Sequence, residues 1–267
     1  MKSLVLTIAA CIAVALATPV EKNQRIFNGE LAEAGQFPYA VGLIVPAGIC
    51  GGSLVSPNYV LTAAQCIAGI ASATVIISSL RIFDVEDPGQ IRLEATQFLV
   101  HPGYEIAPGI FDVALIRLPQ AVTSVRPIRL PNLRQVESTF VGQQATIVGW
   151  GSMGQGAAQS SYLRFARSPV ITTLSCRTGL PTQQIMDQHI CTNSEQNSPC
   201  QGDNGGPLTI TDADGITTQI GMFSFNSILG CESNRPARTK SSTPEVPIEY
   251  DVEIDLEEDE ALFKRFF

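Results

Sequence analysis

Charge is scarce in this sequence. Only 16% of the 267 residues are charged, and Lys+Arg (17) fall short of Asp+Glu (25), a formal net charge of −8. That balance leaves no basic face, which argues against nucleic acid as a partner. The 45% of hydrophobic residues argues against global disorder. Histidine is nearly absent, with only His101 and His189, and no C-x-x-C pair occurs, so no metal and no cofactor are expected. Beyond the N-terminus no stretch reaches 18 apolar residues, so no membrane association is expected. No internal repeat is present.

What is there begins with a leader. Lys2 precedes an apolar run over 4–17 that closes on Ala15-Leu16-Ala17, the small-x-small pattern a signal peptidase accepts. Residues 1–17 are read as a signal peptide, and the product as a secreted, extracellular, monomeric protein. Removing the leader removes Cys11 and leaves Cys50, Cys66, Cys176, Cys191, Cys200 and Cys231. An even number in an oxidising compartment reads as three disulfides, and six cysteines leave 15 pairings open.

Short apolar runs rich in Val, Ile, Leu and Phe recur over 37–45, 52–60, 74–82, 91–100, 113–118, 144–150 and 219–225. Gly, Pro and Asp punctuate them, as in Asp87-Pro88-Gly89 and Asp212-Ala213-Asp214-Gly215. Many short strands with turn residues between them predict an all-β sandwich or barrel. Helix is expected only over 63–70 and 181–188. Composition changes near Asn234. Residues 235–244 read as polar loop, and 245–260 carry nine acids and no base. Val246, Ile248, Tyr250, Val252, Ile254 and Leu256 alternate with mostly acidic residues, the period of an amphipathic strand. Leu262, Phe263, Phe266 and Phe267 close the chain. A solvated tail, a segment that docks on a basic protein surface and a misassembled gene ending all fit this stretch.

Several motifs between Arg25 and Cys231 together resemble the chymotrypsin-like serine proteases. Arg25-Ile26-Phe27-Asn28-Gly29 looks like the activation junction, and Cys50-Gly51-Gly52-Ser53-Leu54 like the strand before the catalytic base. Leu61-Thr62-Ala63-Ala64-Gln65-Cys66 looks like the base segment, and Phe111-Asp112-Val113-Ala114-Leu115 like that of the acidic triad member. Gly149-Trp150-Gly151 is a landmark of the family. Cys200-Gln201-Gly202-Asp203-Asn204-Gly205-Gly206-Pro207 looks like the nucleophile loop. Gly35-Gln36-Phe37-Pro38-Tyr39 and Gly230-Cys231-Glu232-Ser233 are similar to the arthropod chymotrypsin and brachyurin-type branch. The resemblance implies two six-stranded antiparallel β-barrels with few short helices and an active site between them. It also implies the pairs Cys50–Cys66, Cys176–Cys191 and Cys200–Cys231. A pocket-wall strand and a C-terminal helix, which the family places after the last cysteine, are not evident here.

The departures concern chemistry. Gln65 stands where the family has its base histidine and Asn204 where it has the nucleophilic serine, so Asp112 alone of the triad is retained. A seryl hydroxyl attacks because an imidazole titrating near neutrality takes its proton. A glutamine amide lacks that basicity, and an asparagine amide is no nucleophile for peptides. No rescue is expected from His101, placed in a surface loop by the resemblance, or from His189. Asp112 is expected to accept a hydrogen bond from the Gln65 amide. The resemblance further implies that cleavage after Arg25 frees an Ile26 ammonium to pair with Asp203. The N–H groups of Gly202 and Asn204 would form an oxyanion-hole-like nest. Ser198 would lie at the base of the specificity pocket, with Phe225 on its wall and Asn226 narrowing its mouth.

The expected organisation is a signal peptide (1–17), a short propeptide (18–25), a double-barrel domain (26–233) and a divergent acidic tail (234–267). The expected function is that of a pseudo-protease, acting by binding extracellular proteins, whether proteases, zymogens or inhibitors, as a regulator or decoy in an immune or digestive cascade. Residual hydrolysis and a binding module built on the acidic tail are the alternatives.

Overall fold

The computed structural model describes residues 29–106, 110–132, 135, 138–186, 189–193, 197–225, 230–231 and 237–241. Fourteen strands carry the fold within these residues. The first barrel uses β2 (Ala40–Val45), β3 (Gly48–Ser56), β4 (Tyr59–Thr62), β5 (Ala73–Ile77), β6 (Ile91–Ala95), β7 (Gln97–Val100) and β8 (Ala114–Arg117). The second uses β1 (Glu30–Leu31), β9 (Gln144–Gly149), β10 (Arg164–Ile171), β11 (His189–Thr192), β12 (Pro207–Thr211), β13 (Thr217–Phe225) and β14 (Ala237–Ser241).

Each sheet has seven strands by pairing, yet each barrel has six staves. In the first, the order is β6-β5-β2-β3-β4-β8-β7. The strands β6 and β7 are consecutive in sequence around Thr96, so one bent stave joins both ends of the sheet. In the second, β9, β10, β11, β14, β13 and β12 form a ring, because β9 pairs with both β10 and β12. The short β1 adds to the outside of that ring through Glu30 and Leu31. Every named strand pair is antiparallel.

Aliphatic side chains on alternate positions fill the two interiors. Val41, Leu43, Leu54, Val60, Val75, Ile77 and Ile116 pack the first barrel. Ala145, Ile147, Val170, Leu208, Ile210 and Ile220 pack the second. A third cluster joins them: Ile76 and Ile82 meet Val148, Trp150, Leu163 and Phe165. The indole N–H of Trp150, itself buried, donates to the Leu80 carbonyl at 3.2 Å.

Two helices are described. The first, α1 (Ala64–Ile67), falls inside the expected helical stretch. The second, α2, covers Thr173–Gly179 rather than 181–188. Thr172 sets its start, its hydroxyl accepting from Ser175 N at 3.1 Å. Pro181 follows the helix end, where proline commonly stops a helix, instead of opening one. The stretch after the last cysteine also differs from expectation. The predicted loop over 235–244 contains β14, which supplies the barrel strand that the sequence does not announce. The disulfides Cys50–Cys66, Cys176–Cys191 and Cys200–Cys231 form, with Cα separations of 6.2, 6.1 and 5.3 Å. Closing loops of this length stabilises a fold by about 3 kcal/mol each.

Candidate functional site

Three segments meet where the barrels touch. The short α1 buries Ala64, Cys66 and Ile67, so Gln65 is the one residue of the helix left to project outward. The Cys50–Cys66 bridge ties that helix to β3. Asp112 sits at the entrance of β8 in a tight turn, with Val113 N donating to Phe111 O at 2.7 Å. Phe111 takes a left-handed φ of 51°, uncommon for an aromatic residue, and its ring stacks on His101 at 4.6 Å between centroids. That stack holds the turn which aims the Asp112 carboxylate inward.

Asp112 is buried and accepts three hydrogen bonds: from Gln65 N at 2.9 Å, Gln65 Nε2 at 2.5 Å and Ser224 Oγ at 2.6 Å. The second proton of Gln65 Nε2 goes to the Ser224 carbonyl at 2.8 Å. Both amide protons are thereby committed, and the orientation of the Gln65 amide follows. Its nitrogen must face the carboxylate, so its oxygen Oε1 faces Asn204, whose Nδ2 donates to it at 2.7 Å. The result is a one-way chain of hydrogen bonds from Asn204 through Gln65 to Asp112. Neither carboxamide in it is a base of useful strength near neutral pH. The Asn204 nitrogen, its lone pair delocalised into the amide, is no attacking group.

The loop carrying Asn204 is held at very close range. Gly51 N donates to Asn204 O at 2.7 Å, and Gly205 N donates to Phe223 O at 2.7 Å. Gly205 has φ +82°, and a Cβ there would lie 2.5 Å from the Gly51 carbonyl oxygen. Only glycine fits both constraints. Among the described residues, neither Gly202 N nor Asn204 N finds an acceptor. Behind the loop, Asp203 is fully buried, its two oxygens accepting from Gly151 N at 2.7 Å and Cys200 N at 2.8 Å. Burial pushes its pKa up to about 6, a rise that the two backbone donors only partly offset.

A trypsin family model matches residues 26–243. The chain belongs to the trypsin family. Collagenase of Hypoderma lineatum is 32% identical over 223 residues, which are 80% of this chain and 82% of that protein. Brachyurin of Leptuca pugilator is 32% identical over 216 residues, 79% of this chain and 91% of that one. The solved structure of HL collagenase superposes with a TM-score of 0.71 at 31% identity, covering 80% of this chain and 93% of the other. This trypsin-family chain therefore has the chymotrypsin-like fold, and the family match continues past Asn234 to include β14.

The remaining expected site residues divide. Ser198 is buried, its hydroxyl donating to the Pro199 carbonyl at 3.0 Å. Of Phe225, the backbone pairs with Arg238 of β14. Arg25, Ile26 and Asn226 lie outside the described residues, as do the leader and the tail beyond residue 241. His101 is a correction: expected in a surface loop, it is buried against Phe111, its Nδ1 accepting from Gly103 N at 3.0 Å. His189 is buried too, its Nδ1 accepting from Met186 N at 2.9 Å.

Two members of the site escape a reading of the sequence. Ser224 binds both Asp112 and Gln65, and its only signal is a hydroxyl inside the apolar run Met222-Phe223-Ser224-Phe225. Gln159 lies over Gly202, its Nε2 2.8 Å from where a Cβ would stand. It comes from the segment before β10, where spacing carries no signal.

Proposed function

We propose that this is a secreted, non-catalytic member of the trypsin family that acts by binding other extracellular proteins. The observation that carries the reading is the committed orientation of Gln65 between Asp112 and Asn204. Where an active relative needs a proton acceptor beside an attacking oxygen, this chain has two carboxamides bonded to one another. Without base and nucleophile, the catalysis left by nest and binding alone is about 10³–10⁴-fold over water. That falls far short of proteolysis.

Three disulfides and the leader-like sequence support an oxidising, extracellular setting. The likeness to proteins named collagenase and brachyurin supports a cleft descended from one that recognised polypeptide. A binding role as regulator or decoy for a protease, zymogen or inhibitor uses that surface without chemistry. Cleavage after Arg25 would free the Ile26 ammonium to pair with Asp203. That step would order the neighbouring loops and switch the binding surface.

The test is labelling with a fluorophosphonate probe, alongside a peptide-hydrolysis assay on purified protein. No labelling and no turnover are expected. Asn204→Ser alone should stay inactive, because base and nucleophile act as a unit, while Gln65→His with Asn204→Ser is the least change that gives any turnover. Covalent labelling of the unmodified chain would refute the proposal.

A further inference from the structure

Four of the eight large hydrophobic side chains exposed among the described residues stand on three adjoining segments: Leu31, Phe83, Val85 and Tyr162. The segments are tied together by backbone. Ala32 N donates to Leu163 O, Leu163 N to Leu80 O, and Ile82 N to Ser161 O. Between them opens a cavity of about 270 Å³, walled by Phe37, Pro38, Leu80, Pro88 and Leu163. It spans the seam between the barrels, and neither Gln65, Asp112 nor Asn204 lines it.

Its rim is acidic. Arg81 is already paired with Asp84 at 2.7 Å and with Asp87 at 3.2 Å. The carboxylates of Glu30, Glu33 and Glu86 have no cationic partner among the described residues. The loop that bears Phe83 and Val85 is also cross-braced at its base. Asp87 accepts from Ser79 Oγ, Leu80 N, Arg81 N and Arg81 Nε at 2.6–3.2 Å. Burial alone would raise the Asp87 pKa, but these donors outweigh it and hold the carboxyl below its usual range. A surface organised before contact loses little entropy on binding.

Exposed apolar side chains around a cavity mark an interaction site, and charge decides what fits it. We propose that this surface docks a segment of another protein in which Lys or Arg alternates with Leu or Phe. The apolar side chains enter the cavity and cover Phe83, Val85, Leu31 and Tyr162. The cations meet Glu30, Glu33 and Glu86. This does not depend on the loss of catalysis, since none of these residues occupies a triad position.

The test is calorimetric titration of the full chain with a synthetic twelve-residue peptide alternating Leu/Phe with Lys/Arg. Two control peptides carry Glu for the cations or Ser for the apolar residues. Binding is expected for the first peptide only, weakening as salt rises. Glu33→Lys with Glu86→Lys should raise Kd about tenfold or more, and Phe83→Ser with Val85→Ser should abolish binding. All four side chains are exposed, and matching Trp150 fluorescence would confirm that the variants are folded. Equal binding of the glutamate peptide, indifference to both double variants, or no binding at all would each overturn the proposal. So would self-association of the chain that Phe83→Ser with Val85→Ser abolishes, which would make a second copy the occupant.

Discussion

Replacing Asp203 by asparagine isolates the cost of holding a carboxyl group inside the second barrel. The group is fully buried, has two backbone N–H donors and has no cation beside it among the described residues. Burial raises its pKa from 3.8 to about 6. Below pH 3.8 both folded and unfolded chains hold the proton. Between about 4 and 6 only the folded chain holds it, and above 6 neither does. The stability this group contributes is therefore complete below its unfolded pKa and lost as pH rises through 6. A displacement of roughly two units corresponds to about 3 kcal/mol. Asparagine does not titrate, and it turns an amide N–H toward one backbone donor, a cost that is constant with pH. The difference between the natural chain and the variant should thus shift by about 3 kcal/mol from pH 4 to pH 7, against the natural chain. For a domain of this size that is roughly 6–12 °C in Tm. Scanning calorimetry, or fluorescence of Trp150, the single tryptophan, reads it directly. Taking the difference cancels other carboxyls such as Asp214, held down to about 2 chiefly by its hydrogen bond from Arg129. The sample must be uncut at Arg25, since a freed Ile26 ammonium would act as a cation for Asp203. Parallel pH profiles would refute the reasoning. So would a natural chain that gains on the variant as pH rises.

Two further outcomes follow from the site. Asp112→Ala leaves the donors Gln65 N, Gln65 Nε2 and Ser224 Oγ without their acceptor, and should cost about 3–5 kcal/mol in urea unfolding; a loss under about 1 kcal/mol would mean the network carries little. Gly205→Ala forces a Cβ onto the Gly51 carbonyl at a left-handed φ, and should cost about 3 kcal/mol or more, seen as a loss of folded secreted protein.

The fold is legible where apolar runs are long and punctuated. The runs over 37–45, 113–118 and 144–150 correspond to β2, β8 and β9. The run over 52–60 reads as one strand but is two, because the turn at Pro57-Asn58, where Asn58 N donates to Ser56 Oγ, breaks it into β3 and β4. By contrast β10, with two arginines, and β14, reading Ala-Arg-Thr-Lys-Ser, have no apolar alternation. Their place is set by neighbours in the ring, which no local pattern encodes. At the site, Gln65, Asp112 and Asn204 are legible from motif spacing, and the Gln65–Asp112 contact from chemistry. Ser224 joins them only because β13 folds back beside α1 from a remote part of the chain. The burial of His101 likewise depends on the unusual backbone of Phe111.

The order of the second ring bears on how the protein is made. Its penultimate seam is filled by the last described strand, since β14 lies between β11 and β13. All seven strands of the first sheet are contained in residues 40–117. A ribosome that has translated as far as codon 236 has thus delivered a complete first half and a second half with two raw edges. Those edges offer sites for mispairing until residues 237–241 are added. Premature termination in that window would therefore yield a half-closed product, recognisable to quality control by its open edges rather than by any loss at the cleft.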